Sequence, residues 1–195
     1  MKTDIILAGV GGQGILTIAT VLGEAVLSED LFLKQAETHG MSQRGGAVVS
    51  HMRISRKSIA SDLIPLGGAD LILSVEPMEA LRYLPYLSDT GFLVTNTTPF
   101  KNIPNYPDGS AIRKEIEKLP RMVALDADQL AREAGNIRTS NIVMLGAASP
   151  FIHIDFYQIE AGLRSVFERK GEAVVGMNLK ALHAGRQFAQ ESRLK

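Results

Sequence analysis

Cysteine is absent from this 195-residue chain. Without it the chain can form no disulfide and no thiolate zinc site, and it cannot itself ligate an iron–sulfur cluster. Cysteine nucleophiles and dithiol redox pairs are excluded for the same reason.

A net charge is absent as well, because 21 Lys and Arg residues balance 21 Asp and Glu residues. Proteins that bind nucleic acid or an anionic membrane surface usually carry a basic excess, so we expect neither partner. The charge is nevertheless uneven, since residues 34–57 are mainly basic and residues 62–89 are mainly acidic. The basic stretch could meet a phosphate-bearing ligand, or both stretches could simply face solvent.

Long apolar runs are also missing. No run approaches the roughly 18 residues of a membrane-spanning helix, and the first residues show no signal-peptide pattern, so we expect a cytoplasmic protein. Apolar residues make up 45% of the chain and charged residues 22%, which is typical of a globular protein rather than a disordered, collagen-like or coiled-coil one. The length predicts a single domain over residues 1–195.

Apolar periodicity predicts an α/β fold with a doubly wound, mostly parallel sheet and C-terminal helices. Continuous or alternating apolar runs predict strands at 5–8, 31–36, 47–54, 69–75, 91–95 and 122–125. Helical spacing predicts helices at 15–26, from Pro77 onward, and at 110–119, 127–134, 139–148, 156–169 and 177–192. Asp126 is placed to cap the helix that follows it. Three prolines predict an irregular connection at 99–107.

The first candidate site is a Rossmann-like glycine turn between the first strand and the first helix. Gly9, Gly11 and Gly14 satisfy the pattern G-x-G-x-x-G at that position. Such glycines permit a tight turn, let a pyrophosphate approach the backbone, and let helix and strand pack closely. Free N–H groups and the helix dipole favour an anion there. The pattern is typical of a dinucleotide, nucleotide or other phosphate site, although the glycines could also serve the turn alone.

The second candidate site is the polar segment E-T-H-G-M-S-Q-R-G-G at 37–46. Glu37 lies where a dinucleotide fold places the acid that contacts the ribose. Arg44 could clamp a phosphate or a carboxylate, or it could pair with Glu37. Gly45 and Gly46 allow close approach of the backbone to a ligand.

Neither candidate site predicts a catalytic residue or a metal ligand. Ser42 has no evident histidine–carboxylate partner, so a nucleophilic role is not expected. His39 and His51 have no carboxylate or second histidine at metal-ligand spacing. Solvated or core histidines are the better interpretation of both.

Together the two glycine-rich motifs carry a resemblance to a known family. The chain resembles the gamma-type subunits of 2-oxoacid:ferredoxin oxidoreductases, most of all the beta subunits of the indolepyruvate enzymes. The resemblance covers nearly the whole chain and rests on G-V-G-G-Q-G at 9–14, E-T-H-G-M-S-Q-R-G-G at 37–46, V-V-S-H-M-R-I-S at 48–55, A-D-L-I-L-S-V-E-P-M-E-A-L-R at 69–82 and T-G-F-L-V-T-N at 90–96.

The resemblance implies a place in a larger enzyme. Members of the family decarboxylate a 2-oxoacid on thiamine diphosphate, pass electrons through iron–sulfur clusters to ferredoxin, and release an acyl-CoA. This chain lacks both the thiamine-diphosphate motif G-D-G…N and cysteine. The resemblance therefore places thiamine diphosphate and the clusters on a larger partner subunit, and it predicts that this chain is inactive alone.

The resemblance also implies a supporting role, because the gamma-type domain packs beside the thiamine site and helps hold coenzyme A. The substrate would be indolepyruvate or another aryl 2-oxoacid. Two alternatives stay open: a free-standing NAD(P)- or nucleotide-binding protein, and a purely structural assembly subunit. The candidate ligand-binding residues are Gly9, Gly11, Gly12, Gln13, Gly14, Glu37, Ser42, Gln43, Arg44, Gly45 and Gly46.

Overall fold

The computed structural model describes residues 1–27, 29, 31–39, 45–101 and 103–192. Within these residues the chain forms six strands: β1 (Lys2–Val10), β2 (Phe32–His39), β3 (Ala47–Ser55), β4 (Ala69–Ser74), β5 (Leu87–Asn96) and β6 (Met122–Leu125). It also forms seven α-helices: α1 (Ile15–Leu27), α2 (Pro77–Arg82), α3 (Gly109–Glu117), α4 (Ala127–Ala134), α5 (Ser140–Ala148), α6 (Phe156–Phe167) and α7 (Glu172–Ser192). The predicted strands and helices are therefore confirmed, with small differences at their ends.

The six strands lie in one sheet in the order β2-β3-β1-β4-β5-β6. The neighbours β1, β4, β5 and β6 pair in parallel. Strand β3 pairs antiparallel with both β1 and β2, so among the described strands it alone runs against the rest. The predicted mostly parallel sheet is confirmed.

The position of β3 separates this fold from the dinucleotide-binding pattern. In that pattern the first two parallel strands are direct neighbours. Here the chain leaves α1, forms β2 at the edge of the sheet, and returns as β3 in the place beside β1. Because adjacent strands lie about 4.8 Å apart, β2 runs about 10 Å from β1.

Helices cover both faces of the sheet. Side chains of β1 alternate between the faces, so Ile5 and Leu7 join one core cluster while Ile6 and Ala8 join the other. The larger cluster includes residues of α1, α4, α5, α6 and α7. The smaller cluster includes residues of α2 and α3. The doubly wound arrangement is thus confirmed.

Helix α5 lies in the centre of the larger layer, and each of its residues after Ser140 is buried. Such all-round burial requires a helix without a polar face. A Cβ atom on Gly185 of α7 would lie 1.9 Å from the carbonyl oxygen of Val143, and one on Gly146 would lie 2.0 Å from the carbonyl oxygen of Leu182. Helices α5 and α7 therefore meet backbone against backbone.

Three elements begin clearly earlier than predicted: β1 at Lys2 rather than at residue 5, β5 at Leu87 rather than at residue 91, and α7. Helix α7 begins at Glu172 rather than at Met177, because it continues through Gly176, which a helix tolerates at a cost of about 1 kcal/mol. The predicted cap of α4 is confirmed, since Oδ1 of Asp126 accepts the N–H of Gln129 at 2.9 Å. In the described part of 99–107 no helix or strand forms, as predicted.

We predict that Gly185→Ala lowers the free energy of unfolding by about 3 kcal/mol, because the new methyl group meets backbone that must shift. Gly176→Ala in the same helix is the matched control. Apart from its own helix backbone and sequence neighbours, a Cβ atom on Gly176 would have no atom of the described residues within 4 Å, so this variant should gain up to about 1 kcal/mol from helix propensity. Urea unfolding of both variants measures the difference, and equal free energies would contradict the close helix crossing.

Candidate functional site

A cleft of about 740 Å³ opens at the carboxyl ends of β1, β4 and β5. Its floor is the glycine turn and the start of α1, and one wall is the segment that follows β5. The chain leaves β1 toward the face that holds α1, and it leaves β4 toward the face that holds α2. Adjacent strands whose connections diverge in this way form a topological switch point, where open α/β sheets bind their ligands.

The glycine turn at the floor of the cleft requires glycine at position 14. A side chain there would be disfavoured both by the backbone conformation and by a close contact with Asn141. Gly14 has φ +79°, and a Cβ atom there would lie 2.5 Å from Nδ2 of Asn141. The same Nδ2 donates a hydrogen bond to the Gly14 carbonyl at 3.1 Å. Asn141 thus holds the start of α1 against the start of α5. The first N–H groups of α1 have no acceptor within the helix, as at any helix start.

Gln13 closes the same turn with its side-chain amide. Its Oε1 accepts the N–H of Val10 at 2.8 Å, and its Nε2 donates to the carbonyl of Val75 at 3.4 Å. The amide therefore joins the end of β1 to the residue that follows β4. Gln13 also lines the cleft. Both ends of its amide already have hydrogen-bond partners in this chain. A hydrogen bond from Gln13 to a ligand stays a prediction.

The structure brings the two glycine-rich motifs together. The N–H of Gly11 donates to the carbonyl of Gly46 at 2.8 Å, and the N–H of Gly45 donates to the carbonyl of Gly11 at 3.3 Å. Ser42, Gln43 and Arg44 lie outside the described residues, so their roles stay predictions.

Glu37 is separated from β1 by one strand. It lies on β2, where it pairs with Ser50 of β3, which in turn pairs with Leu7 of β1. Its carboxylate accepts a hydrogen bond from Nε2 of Gln35. The ribose contact expected of Glu37 requires β2 to lie beside β1, and β3 occupies that place. This arrangement argues against the NAD(P)-binding alternative.

Three charged side chains line the cleft that sequence reasoning missed: Asp128, Arg138 and Lys170. Within the described residues neither cation forms an ion pair with a carboxylate, and Nζ of Lys170 lies 5.2 Å from the centre of the Phe167 ring. Amide and hydroxyl groups on the same wall include the buried Asn178. Two unpaired cations beside a helix start suit an anionic ligand such as a phosphate ester.

Other kinds of site find no support in the described parts of the chain. Over these residues no three His, Asp or Glu side chains come close enough to share a metal ion. Among the described helices none combines the length and the apolar character needed to cross a membrane.

Comparison with known proteins finds one family and full-length relatives. The profile of the family described as pyruvate ferredoxin/flavodoxin oxidoreductase matches residues 4–188. The chain is 36% identical to indolepyruvate oxidoreductase subunit IorB of Archaeoglobus fulgidus, covering 99% of this chain and 98% of that protein. It is 38% identical to the subunit of the same name from Thermococcus kodakarensis, covering 96% of each.

Solved structures share the fold. The 2-oxoglutarate:ferredoxin oxidoreductase of Magnetococcus marinus, solved with 2-oxoglutarate, coenzyme A and succinyl-CoA bound, matches with a TM-score of 0.77 and 22% identity, covering 97% of this chain and 31% of that longer chain. The gamma subunit of the keto/oxoacid ferredoxin oxidoreductase of Geobacter sulfurreducens matches with a TM-score of 0.69 and 24% identity, covering 97% of this chain and 99% of the subunit.

We predict that Gly14→Ala destabilises the protein more than Gly12→Ala does. Both glycines have positive φ, so each variant should lose about 1–2 kcal/mol from backbone strain. Gly14 also meets Asn141, whereas in the described part of the chain nothing beyond its sequence neighbours lies within 4 Å of the Cβ position of Gly12. Unfolding in urea measures the two free energies.

The double variant Gly14→Ala, Asn141→Ala isolates the contact. It removes the clash between the new methyl group and the amide, so the two substitutions should couple favourably in a double-mutant cycle. Strictly additive free energies would show that Asn141 does not pack on the glycine turn.

Proposed function

The chain belongs to the pyruvate ferredoxin/flavodoxin oxidoreductase family and is a subunit of an oxoacid:ferredoxin oxidoreductase, and we propose that it binds coenzyme A in the cleft. We further propose that the complex oxidises indolepyruvate or another aryl 2-oxoacid. The relatives named for indolepyruvate, which are 35% to 38% identical over nearly the full chain, support this substrate class.

One observation carries the assignment of coenzyme A to the cleft. Arg138 and Lys170 line the same cavity as the glycine turn and the first turn of α1. Coenzyme A carries a diphosphate and a further phosphate on its ribose, and these groups need cations and N–H donors rather than a general base. The uncharged amides on the cleft wall suit its long amide-containing arm. A cavity of about 740 Å³ lies within the range of small-molecule sites.

The residues of this chain do not fit an iron–sulfur cluster, because the chain has no cysteine. We propose that the clusters and thiamine diphosphate reside on a larger partner subunit, which carries out the decarboxylation and passes electrons to ferredoxin. This single-domain chain then contributes binding and orientation of the acyl acceptor, and it is inactive alone. No residue of the chain acts as a catalytic acid, base or nucleophile in this proposal.

We predict that Lys170→Ala and Arg138→Ala each raise the KM for coenzyme A in the assembled enzyme by about tenfold, because each removes a charge-assisted contact to a phosphate. The KM for the 2-oxoacid should stay unchanged. Arg169→Ala is the matched control, since Arg169 is an exposed neighbour of Lys170 outside the cleft lining. An unchanged KM for coenzyme A in both cleft variants would contradict the proposal.

We also predict that the tagged chain, purified without oxygen from its own host, carries a larger chain with it and is brown. Iron–sulfur clusters on the partner would give the broad visible absorption. Mass spectrometry identifies the partner, which should contain the thiamine-diphosphate motif and runs of cysteines. A larger partner without these features would contradict the proposed division of cofactors.

A further inference from the structure

The chain from residue 97 to residue 107 connects β5 to α3, and its first part forms one wall of the cleft. Thr98, Pro99 and Phe100 line the cavity directly. Prolines at 99, 104 and 107 prevent this connection from forming a helix or a strand, whose backbone hydrogen bonds would otherwise fix its position. Other contacts must therefore fix the wall.

A single buried carboxylate supplies those contacts. Glu76 follows β4 and has no exposed surface. Its Oε2 accepts the N–H of Glu79 at 2.9 Å and so caps α2. Its Oε1 accepts the N–H of Phe100 at 3.2 Å and the hydroxyl proton of Tyr106. The carboxylate thus joins the end of β4 to two points on the connection.

Helix capping alone does not account for this arrangement. A cap needs one carboxylate oxygen, and Asp126 caps α4 with an exposed side chain. Burying a carboxylate is costly unless its oxygens accept hydrogen bonds. In Glu76 the second oxygen accepts hydrogen bonds from the connection, and the described residues show no other donor to it.

Tyr106 is suited to remain the donor in this pair. Burial raises its pKa above the ordinary value, and the hydrogen bond to Glu76 raises it further. Its hydroxyl therefore stays protonated at any pH at which the enzyme would be assayed.

We propose that Glu76 and Tyr106 form a positioning clamp that holds residues 98–100 at the cleft and thereby sets the affinity for the ligand bound there. The clamp acts through the wall rather than by touching the reacting atoms. Its effect on coenzyme A rests on the proposed function, whereas its effect on the connection does not.

The first experiment tests the clamp without any ligand. Tyr106→Phe keeps the ring and removes the hydroxyl, and Lys101 provides an exposed trypsin site within the connection. Trypsin should cleave the full chain after Lys101 about tenfold faster in this variant, as expected for the loss of a hydrogen bond to a charged acceptor. Tyr157→Phe, at a tyrosine that is 72% exposed, is the control and should leave the rate unchanged. An unchanged rate in Tyr106→Phe would overturn the clamp.

The second experiment tests positioning in the assembled enzyme. Tyr106→Phe should raise the KM for coenzyme A severalfold, with kcat at saturating coenzyme A and the KM for the 2-oxoacid preserved. A general loss of fold would instead lower kcat. Glu76→Gln has one acceptor oxygen in place of two, so it should accelerate cleavage after Lys101 and raise this KM in the same direction.

The outcomes separate the clamp from the proposed function. Faster cleavage with an unchanged KM for coenzyme A, while Lys170→Ala still raises that KM, would overturn the positioning role alone. If neither the clamp variants nor the Lys170 and Arg138 variants alter the KM, coenzyme A binds elsewhere, and both the proposed function and the positioning role fail.

Discussion

Parallel strands that end at one edge of a sheet leave backbone N–H and C=O groups without ladder partners, and these groups must be satisfied where the chain turns away. In this protein one polar side chain serves the end of each of the four strands that pair in parallel, β1, β4, β5 and β6. Gln13 closes the turn after β1, Glu76 follows β4, Asn96 ends β5, and Asp126 follows β6. This row of side chains determines what the carboxyl edge of the sheet can hold.

The members of the row are linked through shared backbone groups. Gln13 and Asn96 both donate to the carbonyl of Val75, at 3.4 Å and 3.5 Å. Oδ1 of Asn96 also accepts the N–H groups of Thr98 and Ala127, at 3.2 Å and 3.1 Å. The floor of the cleft is therefore held by several mutually supporting hydrogen bonds. Beyond Thr98, the wall depends mainly on the one carboxylate of Glu76.

The order of elements could be predicted from sequence because apolar periodicity reports local burial. The buried run at Ile5–Ala8 and the helical spacing after Gly14 each distinguish strand from helix within a few residues. Strand order is not local information. The alternation of side chains along β3 is the same whether the strand lies beside β1 or at the edge of the sheet. The sequence therefore could not predict that β3 lies between β1 and β2, which separates Glu37 from β1.

The residues of the site also fall into two groups, those that a local sequence motif identifies and those that it does not. Glycines after a strand identify the floor, because their spacing reflects a turn made within six residues. Arg138 and Lys170 lie more than 120 residues after the glycine turn in the chain. A single Arg or Lys in a sequence has no surrounding motif that distinguishes a ligand-binding side chain from one that faces solvent. The mainly polar segment N-I-R-T-S-N at 136–141, which joins α4 to the first residues of α5, was the available signal. Its Asn141 is the side chain that contacts the glycine turn.

A floor held by several hydrogen bonds and a wall held by few contacts suit the proposed role, in which the ligand of this cleft changes in every catalytic cycle. In the proposed complex, thiamine diphosphate and iron–sulfur clusters remain bound through many turnovers, but coenzyme A enters and an acyl-CoA leaves each time. Strong fixation of every wall would slow that exchange, whereas a loose floor would misplace the phosphates and with them the thiol. If the cleft binds coenzyme A as proposed, the phosphates belong at the floor, where α1 begins. There the backbone is held by several hydrogen bonds, including those of Gln13 and Asn141. In that arrangement the changing acyl end lies toward the partner subunit, and the proposal then requires no catalytic residue from this chain.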